Sequence, residues 1–113
     1  MGANQSKLGT FAHARSGDKG DHANIAVFAR DAKNYPWLRE QLTAERVAAF
    51  FAPLEPSRVE RFEAANVAAL NFVLYDVLAG GASRSLRIDT QGKALGTAIL
   101  EMTLPQPPSE QSA

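Results

Sequence analysis

Two apolar, strand-like runs lie near the start of the chain, residues 8–14 and 23–30. In the second run Ile25, Val27 and Ala29 share one side, which is the period of a β-strand. Residues 15–24 separate the two runs and contain two glycines and five ionisable side chains. The pattern therefore predicts two strands joined by a glycine-rich, charged loop.

The same period places particular side chains at this loop. If residues 8–14 form a strand, Phe11, His13 and Arg15 share a face, because alternate residues of a strand point the same way. His13 and Arg15 then point toward the mouth of the loop. Asn24 is expected to lie across from them.

Two short helices are predicted after the second strand. Pro36 suits the first turn of a helix, where the missing amide hydrogen has no partner to lose. Thr43 can cap a second helix. In that helix apolar residues recur every three or four positions: Val47, Phe50, Phe51 and Leu54. Pro53 and Pro56 are expected to end it.

The middle of the chain contains one ambiguous stretch and one strongly apolar stretch. In residues 57–64, Ser57 and Glu60 form a possible capping box, but the alternation of side chains favours an exposed strand with charges. Asn66 can cap residues 67–79, which are apolar nearly all round and predict the most buried helix. Gly80 and Gly81 supply a left-handed stop.

The C-terminal part predicts a second hairpin. Residues 83–89 alternate as a strand, residues 90–92 turn the chain, and a last strand presents one apolar face: Ala98, Leu100, Met102 and Leu104. The spacing of Leu95, Ile99 and Met102 also fits a helix, so both interpretations stay open. Residues 105–113 contain three prolines and no large apolar residue, which predicts a flexible tail after a single domain of residues 1–104.

Strands and helices in this order predict an α+β sandwich, with the helices packed on one face of a mostly antiparallel sheet. The other face is then either solvated or covered by a partner. Phe28 points away from Ile25 and Val27, so a small apolar patch is expected on that second face. Such a patch favours oligomerisation.

Charge and composition narrow the class of protein. Twelve basic residues balance twelve acidic ones, so no overall field attracts nucleic acid or an anionic membrane. The chain of 113 residues has no cysteine, which excludes disulfides, thiolate catalysis and thiolate metal sites. The polar start contains no signal peptide or membrane span. A soluble, cytoplasmic protein is expected.

The glycine-rich loop is the first candidate site. Gly17 and Gly20 allow positive φ angles, so successive amides could converge on a phosphate or carboxylate, with Arg15 and Lys19 adding charge. Alternatively, Asp18 and the glycines form an ordinary solvated hairpin loop. Both interpretations stay open on the pattern alone.

Other chemistries of this loop are disfavoured. Residues 17–20 fit the GxxG of an RNA-binding KH loop, but the flanks predict strands and the chain is neutral. No phosphate-binding P-loop is present, and the spacing of the acidic residues and histidines predicts no metal site.

Ser16 lacks a nucleophile elbow, so a hydrogen bond within the loop is expected. His13 could act as a general base, although a lone histidine on a strand more often lies at a core edge.

A second polar group is centred on Asn71, which lies in an apolar stretch where an unpaired amide would be costly. Asn71 must therefore have a partner. One interpretation groups it with Ser85, Arg87 and Asp89 as a binding site. The other gives Asn71 a backbone partner and makes Arg87 and Asp89 a surface pair.

Several of these segments together resemble a known family. Residues 12–21 (AHARSGDKGD), 24–25 (NI), 70–74 (LNFVL), 80–81 (GG), 85–89 (SLRID) and 92–93 (GK) resemble the C-terminal domain of AtuA, the acyclic terpene utilisation protein. The resemblance covers nearly the whole chain and implies a ferredoxin-like fold over residues 1–104. It also implies a role in the degradation of acyclic terpenoids or related acyl-CoA compounds. It supplies no catalytic mechanism and no cofactor.

The resemblance also bears on partners, because the large N-terminal domain of AtuA does not precede this module in the sequence. The module is expected to dock on a separately encoded large subunit or to form a homo-oligomer.

Three hypotheses about the function follow. The first is an accessory subunit whose loop and Asn71 group bind an anionic small molecule or complete a partner's site. The second is a small enzyme that acts on an acyl-CoA or carboxylate through His13 or Asp18. The third is an RNA-binding module.

Overall fold

The structure is a computed structural model that describes residues 5–77 and 95–107. Within these ranges the strands are β1 (Gln5–Lys7), β2 (Ala12–Lys19), β3 (His22–Ala29), β4 (Arg58–Ala64), β5 (Ala69–Tyr75) and β6 (Thr103–Pro105). The α-helices in the same ranges are α1 (Tyr35–Gln41), α2 (Ala44–Phe50) and α3 (Leu95–Ile99). Strands β2, β3, β5 and β4 pair in that order as an antiparallel sheet at the centre of the described part. The predicted α+β architecture is confirmed.

The first two predicted strands are present, but their bounds differ from the prediction. Leu8–Thr10 is a single turn of 3-10 helix, and the first long strand begins only at Ala12. Strand β2 then pairs with β3 along its whole length, from Ala12 opposite Ala29 to Lys19 opposite His22. The predicted loop of residues 15–24 is therefore wrong, because almost all of it is paired strand.

The predicted buried helix of residues 67–79 is also wrong, because most of its described part is strand β5. Residues 65–67 form one 3-10 turn, and Ala68 leaves it in the left-handed region with φ 54°. In β5, Leu70, Phe72 and Leu74 are fully buried, whereas Asn71 and Val73 between them are half-buried. Apolar residues also lie on the face of β5 away from the core, such as Val73, so the period of the strand is hard to recognise. The predicted stop at Gly80 and Gly81 lies outside the described residues.

The starts of helices α1 and α2 confirm the local signals of the sequence, but α2 ends at Phe50, before the predicted proline stop, and residues 52–54 form a separate 3-10 turn. Pro36 lies in the first turn of α1. The Thr43 hydroxyl caps α2 by accepting a hydrogen bond of 3.0 Å from the Arg46 amide. On β4, which confirms the strand interpretation of residues 57–64, Arg61 donates hydrogen bonds to the carbonyls of Arg39 and Leu42. These bonds satisfy carbonyls at the end of α1 and hold it against the sheet.

Helices α1, α2 and α3 all contribute to one core on one face of the sheet. The helices supply Leu38, Val47 and Ile99, and the sheet supplies Ile25 and Phe72. Ile25 lies directly opposite Phe72 across β3 and β5, so alternate residues of both strands reach this core. The prediction of helices on one face is confirmed for the residues that the structure describes.

The C-terminal part differs from the predicted long strand. Residues 95–99 form α3, the helical alternative, and only Thr103–Pro105 are strand, paired with β1. Residues 105–107, which were predicted to begin a flexible tail, pack against the fold, because the Trp37 indole donates to the Pro105 carbonyl at 3.0 Å and Pro107 is buried. The predicted strand of residues 83–89, the turn of 90–92 and residues 108–113 lie outside the described residues.

Candidate functional site

The β2–β3 hairpin has a much tighter turn than the sequence suggests. Lys19 and His22 are paired, so Gly20 and Asp21 alone form the turn. Gly20 has φ +62°, and two-residue hairpin turns require such an angle. Gly17 is paired opposite Asn24 inside the strand. Amides along a strand point alternately to its two sides, so the expected cradle of converging amides is not formed.

Strand alternation separates the predicted site residues into two groups. His13 and Arg15 lie on the face of β2 that is opposite the core, whereas Ser16 and Asp18 lie on the helical side. Asp18 is exposed, and Lys19 ends the strand. The chain therefore does not bring His13 together with Ser16 or Asp18 as an acid–base or nucleophilic set. We call the side of the sheet that carries Arg15, Asn24, Asn71 and Phe62 the open face.

Ser16 anchors helix α3 to the sheet. Its hydroxyl oxygen accepts a hydrogen bond of 2.9 Å from the Gly96 amide. A Cβ atom at position 96 would lie 3.2 Å from the Arg15 carbonyl carbon and 3.3 Å from the Ser16 amide nitrogen. This close approach explains a glycine at the contact. The expected hydrogen bond of Ser16 was within the loop, whereas this bond joins Ser16 to α3.

Asn24 and Asn71 are partners of each other on the open face. The Asn24 amide nitrogen donates to the Asn71 side-chain oxygen at 2.9 Å. The two residues are diagonal neighbours on β3 and β5, since Asn24 lies opposite Val73 and Ala26 lies opposite Asn71. The requirement of a partner for Asn71 is confirmed, and that partner is a side chain rather than backbone. Ser85, Arg87 and Asp89 lie outside the described residues.

His13 lies at the end of the open face nearest the start of β2. Its imidazole ring stacks on Phe28, with ring centres 5.1 Å apart and planes at 9°. His13 is exposed and Phe28 is half-buried. Stacking on an aromatic ring fixes the orientation of the histidine and covers part of Phe28.

Strand β4 adds a group of residues that the sequence did not place at the site. Phe62 is 49% exposed, which is unusual for a phenylalanine. Glu60 accepts a hydrogen bond from the Tyr75 hydroxyl. The Arg58 guanidinium lies over the Tyr75 ring at 4.2 Å. A hydrogen bond with Tyr75, and secondly the charge of Glu60, raise the pKa of Arg58 above its usual value.

A comparison with protein-family models matches residues 6–105 to the AtuA ferredoxin-like domain. The match covers far more than half of the 113 residues. The chain belongs to this family. As an AtuA ferredoxin-like domain it has the ferredoxin-like α+β fold that the resemblance implied. Neither the search of curated proteins nor the search of solved structures found a significant match.

For this AtuA ferredoxin-like domain, the registers arrange the open face in rows. From β2 to β4, one row reads Arg15, Ala26, Asn71, Phe62, and the next reads Gly17, Asn24, Val73, Glu60. A Cβ atom at Gly17 would meet only the Asn24 side-chain oxygen, at 3.7 Å. At its β2 edge the open face therefore carries the Arg15 cation beside the space left by Gly17. At its β4 edge it carries the Phe62 ring beside the Glu60 carboxylate.

Sequence reasoning missed Glu60, Phe62 and Tyr75, although one signal was available. Glu60 and Phe62 share a face if residues 58–64 are a strand, and this was the favoured interpretation. Their proximity to Asn71 follows only once residues 69–75 are also a strand, because β4 and β5 then pair with Phe62 opposite Asn71. The incorrect helix hid this pairing.

A metal centre and a membrane-spanning helix are two further features to consider in this AtuA ferredoxin-like domain. Within residues 5–77 and 95–107, no three side chains of the types that bind metals are grouped to hold an ion. No helix in those same ranges is long and apolar enough to cross a membrane. The GxxG of residues 17–20 spans a strand end and a hairpin turn, whereas a KH loop joins two helices.

Proposed function

We propose that this protein is an accessory module of an AtuA-type system and that it acts by docking through its open face. The exposed Phe62 ring, at the β4 edge of a sheet face that no described helix covers, carries this proposal. A flat face with exposed aromatic and charged groups is typical of protein interfaces, whereas small molecules bind in concave sites. The family supports a place in acyclic terpenoid or acyl-CoA catabolism.

We further propose that the partner on this face is a second copy of the chain. A two-fold axis parallel to the strands would place β2 of one copy over β4 of the other and keep the rows aligned. Arg15 would then lie over the partner copy's phenylalanine, with the carboxylate of Glu60 one row along, about 7 Å away. An arginine side chain can span that distance across sheets packed about 10 Å apart.

Charge and shape both favour this arrangement. Gly17 would lie opposite Glu60 of the other copy, so the gap beside Arg15 leaves room for the carboxylate. Glu60 is held by Tyr75 and lies 3.6 Å from Arg58, which fixes its position. The alternative two-fold axis, across the strands, would bring Arg15 against Arg15, and like charges at an interface are unfavourable.

The size of the sheet sets the expected affinity. Four strands about 4.8 Å apart and about eight residues long give roughly 500 Å² of flat area per copy. Two copies thus bury on the order of 1,000 Å², the lower limit for a specific interface. Interfaces at this limit are typical of weak, transient complexes, so we expect a dimer that dissociates on dilution.

The test measures molecular mass by sedimentation equilibrium over a range of protein concentrations. Phe62→Ser removes an apolar ring from each copy, so we expect the dissociation constant to rise about tenfold or more. Phe50→Ser is the matched control, because Phe50 is 37% exposed but lies on α2, on the helical side. Equal effects of the two substitutions, or a chain that stays monomeric at about 1 mM, would overturn the docking of a second copy.

A large AtuA-type subunit is the other candidate partner, and copurification separates it from a second copy. If the chain alone is monomeric but binds such a subunit, and Phe62→Ser weakens that complex, the open face is a docking surface for a different protein. The second-copy proposal is then wrong. If neither complex forms, docking as the function of this module is wrong as well.

A further inference from the structure

A polar cleft lies away from the open face, where β1, the 3-10 turn before β2 and the segment before α1 meet. Its volume is about 420 Å³, which is within the usual range for small-molecule sites. Its walls are mostly hydrogen-bonding side chains: Ser6, Thr10, Arg30, Lys33, Asn34 and Gln106. None of these residues belongs to the predicted site or to the proposed docking surface.

Arg30 is held in a position to bind an anion. The side-chain Nε of Arg30 donates to the Gly9 carbonyl at 3.2 Å, and the backbone amide of Arg30 donates to the Phe11 carbonyl at 2.9 Å. The first bond fixes the guanidinium plane and uses only Nε. The two terminal nitrogens therefore remain for a forked contact, which suits a carboxylate or a phosphate.

A second cation and a single carboxylate complete the charge of the cleft. Lys33 Nζ lies 3.8 Å from the Asp31 carboxylate, and its side chain is 69% exposed. A pair this long and exposed is weak, so the lysine can turn to a ligand. The lining then carries two positive charges and one negative charge, a net positive charge at the cleft.

The uncharged side chains that line the cleft indicate the chemistry of the rest of the ligand. The Ser6 hydroxyl oxygen accepts a hydrogen bond of 3.0 Å from the Gln106 amide, which leaves its own hydrogen to donate. The Thr10 side chain is exposed at the rim, and Phe11 is the aromatic member of the lining. Hydroxyl and amide groups beside a cation suit a compact polar oxyanion better than a long acyl chain.

We propose that this cleft binds a small polar oxyanion, with Arg30 as the principal ligand of its carboxylate or phosphate group and Lys33 as the second cation. The proposal does not depend on the open face, because the two surfaces share no residue. It gives the module a small-molecule site in addition to a docking surface.

Trp37 offers a direct probe, because it is the single tryptophan of the chain. Its ring lies 5.6 Å from that of Phe11, and its indole donates to Pro105, the neighbour of Gln106. The experiment titrates the full chain with sodium phosphate and, separately, with sodium acetate, at constant ionic strength maintained with chloride. It records tryptophan emission and, as an independent readout, the melting temperature, which rises when a ligand binds the folded state.

Substitutions then locate the site. Arg30→Gln is expected to weaken binding at least tenfold, whereas Arg46→Gln should leave it unchanged. Arg46 is the matched control because it is also exposed and also donates through Nε to a backbone carbonyl, that of Gln41 at 2.9 Å. Asp31→Asn should tighten binding about threefold or more, since it removes the negative charge and keeps the oxygen that accepts from the Lys33 amide.

The titration also identifies the class of anion. A saturable change with phosphate but not acetate assigns a phosphate group, and the reverse assigns a carboxylate. The proposal is wrong if neither anion gives a saturable change in emission or melting temperature up to tens of millimolar. It is also wrong if Arg30→Gln behaves as Arg46→Gln does, or if Asp31→Asn weakens binding.

Discussion

Adjacent side chains of β2 have different roles because they point to opposite faces of the sheet. Ser16 points to the helices and accepts the Gly96 amide, while Arg15 points to the open face. This division was foreseeable in part. Strand alternation correctly placed His13 and Arg15 on one face, but the partner of Ser16 is 80 residues away in sequence. No local pattern could indicate that contact.

The hydrogen bond from the Gly96 amide to Ser16 is expected to stabilise the fold. Ser16→Ala would leave the buried Gly96 amide without its acceptor, so we expect the free energy of unfolding to fall by about 1–3 kcal/mol. Urea unfolding at a low protein concentration, where the proposed dimer dissociates, followed by circular dichroism measures this loss. Arg15→Ala is the control, because Arg15 is exposed and its removal should cost less than about 0.5 kcal/mol. Equal losses would show that Ser16 does not anchor α3.

At the scale of elements, the sequence predicted best where one residue decides the local geometry. Pro36 and Thr43 correctly located the starts of α1 and α2, because an N1 proline and a capping threonine act within one turn. The turn of the β2–β3 hairpin was harder to locate from the sequence, since Gly17 and Gly20 look alike there. Only Gly20 has a positive φ, so only that glycine marks the turn.

The helix prediction for the residues of strand β5 was wrong for a different reason. Its apolar residues fit a buried helix or a central strand equally well, and the choice depends on which strands pair with it. The exposed fraction of each residue resolves the choice, because Leu74 is fully buried and its neighbour Val73 is half-buried. Strand pairing is a tertiary property, so the open face could not be fully predicted either.

Two substitutions in β5 test its alternation. Leu74→Ala removes a fully buried side chain from the core and should lower the free energy of unfolding by about 2–5 kcal/mol. Val73→Ala, on the open face of the monomer, should cost about 1 kcal/mol or less. Urea unfolding at a low protein concentration, where a dimer dissociates, measures both. Similar losses at the two positions would contradict the strand.

At the scale of the whole molecule, the fold separates a helical side that forms the core from a sheet side that carries the proposed interface. The sequence predicted this division and named four residues of the open face as site residues, His13, Arg15, Asn24 and Asn71, although it placed Asn71 in a helix. It did not predict Glu60 or Phe62, because the order β2-β3-β5-β4 sets which edge faces which. In the proposed dimer, that order places β2 of one copy over β4 of the other.

The most direct test of this arrangement is a charge exchange between the two edges of the open face, followed by sedimentation equilibrium. Arg15→Glu and Glu60→Arg should each weaken the dimer tenfold or more, because each places like charges together across the interface. The double variant restores opposite charges, so we expect its dissociation constant to return to within about threefold of the original. A double variant that dissociates as readily as either single variant would contradict the proposed arrangement.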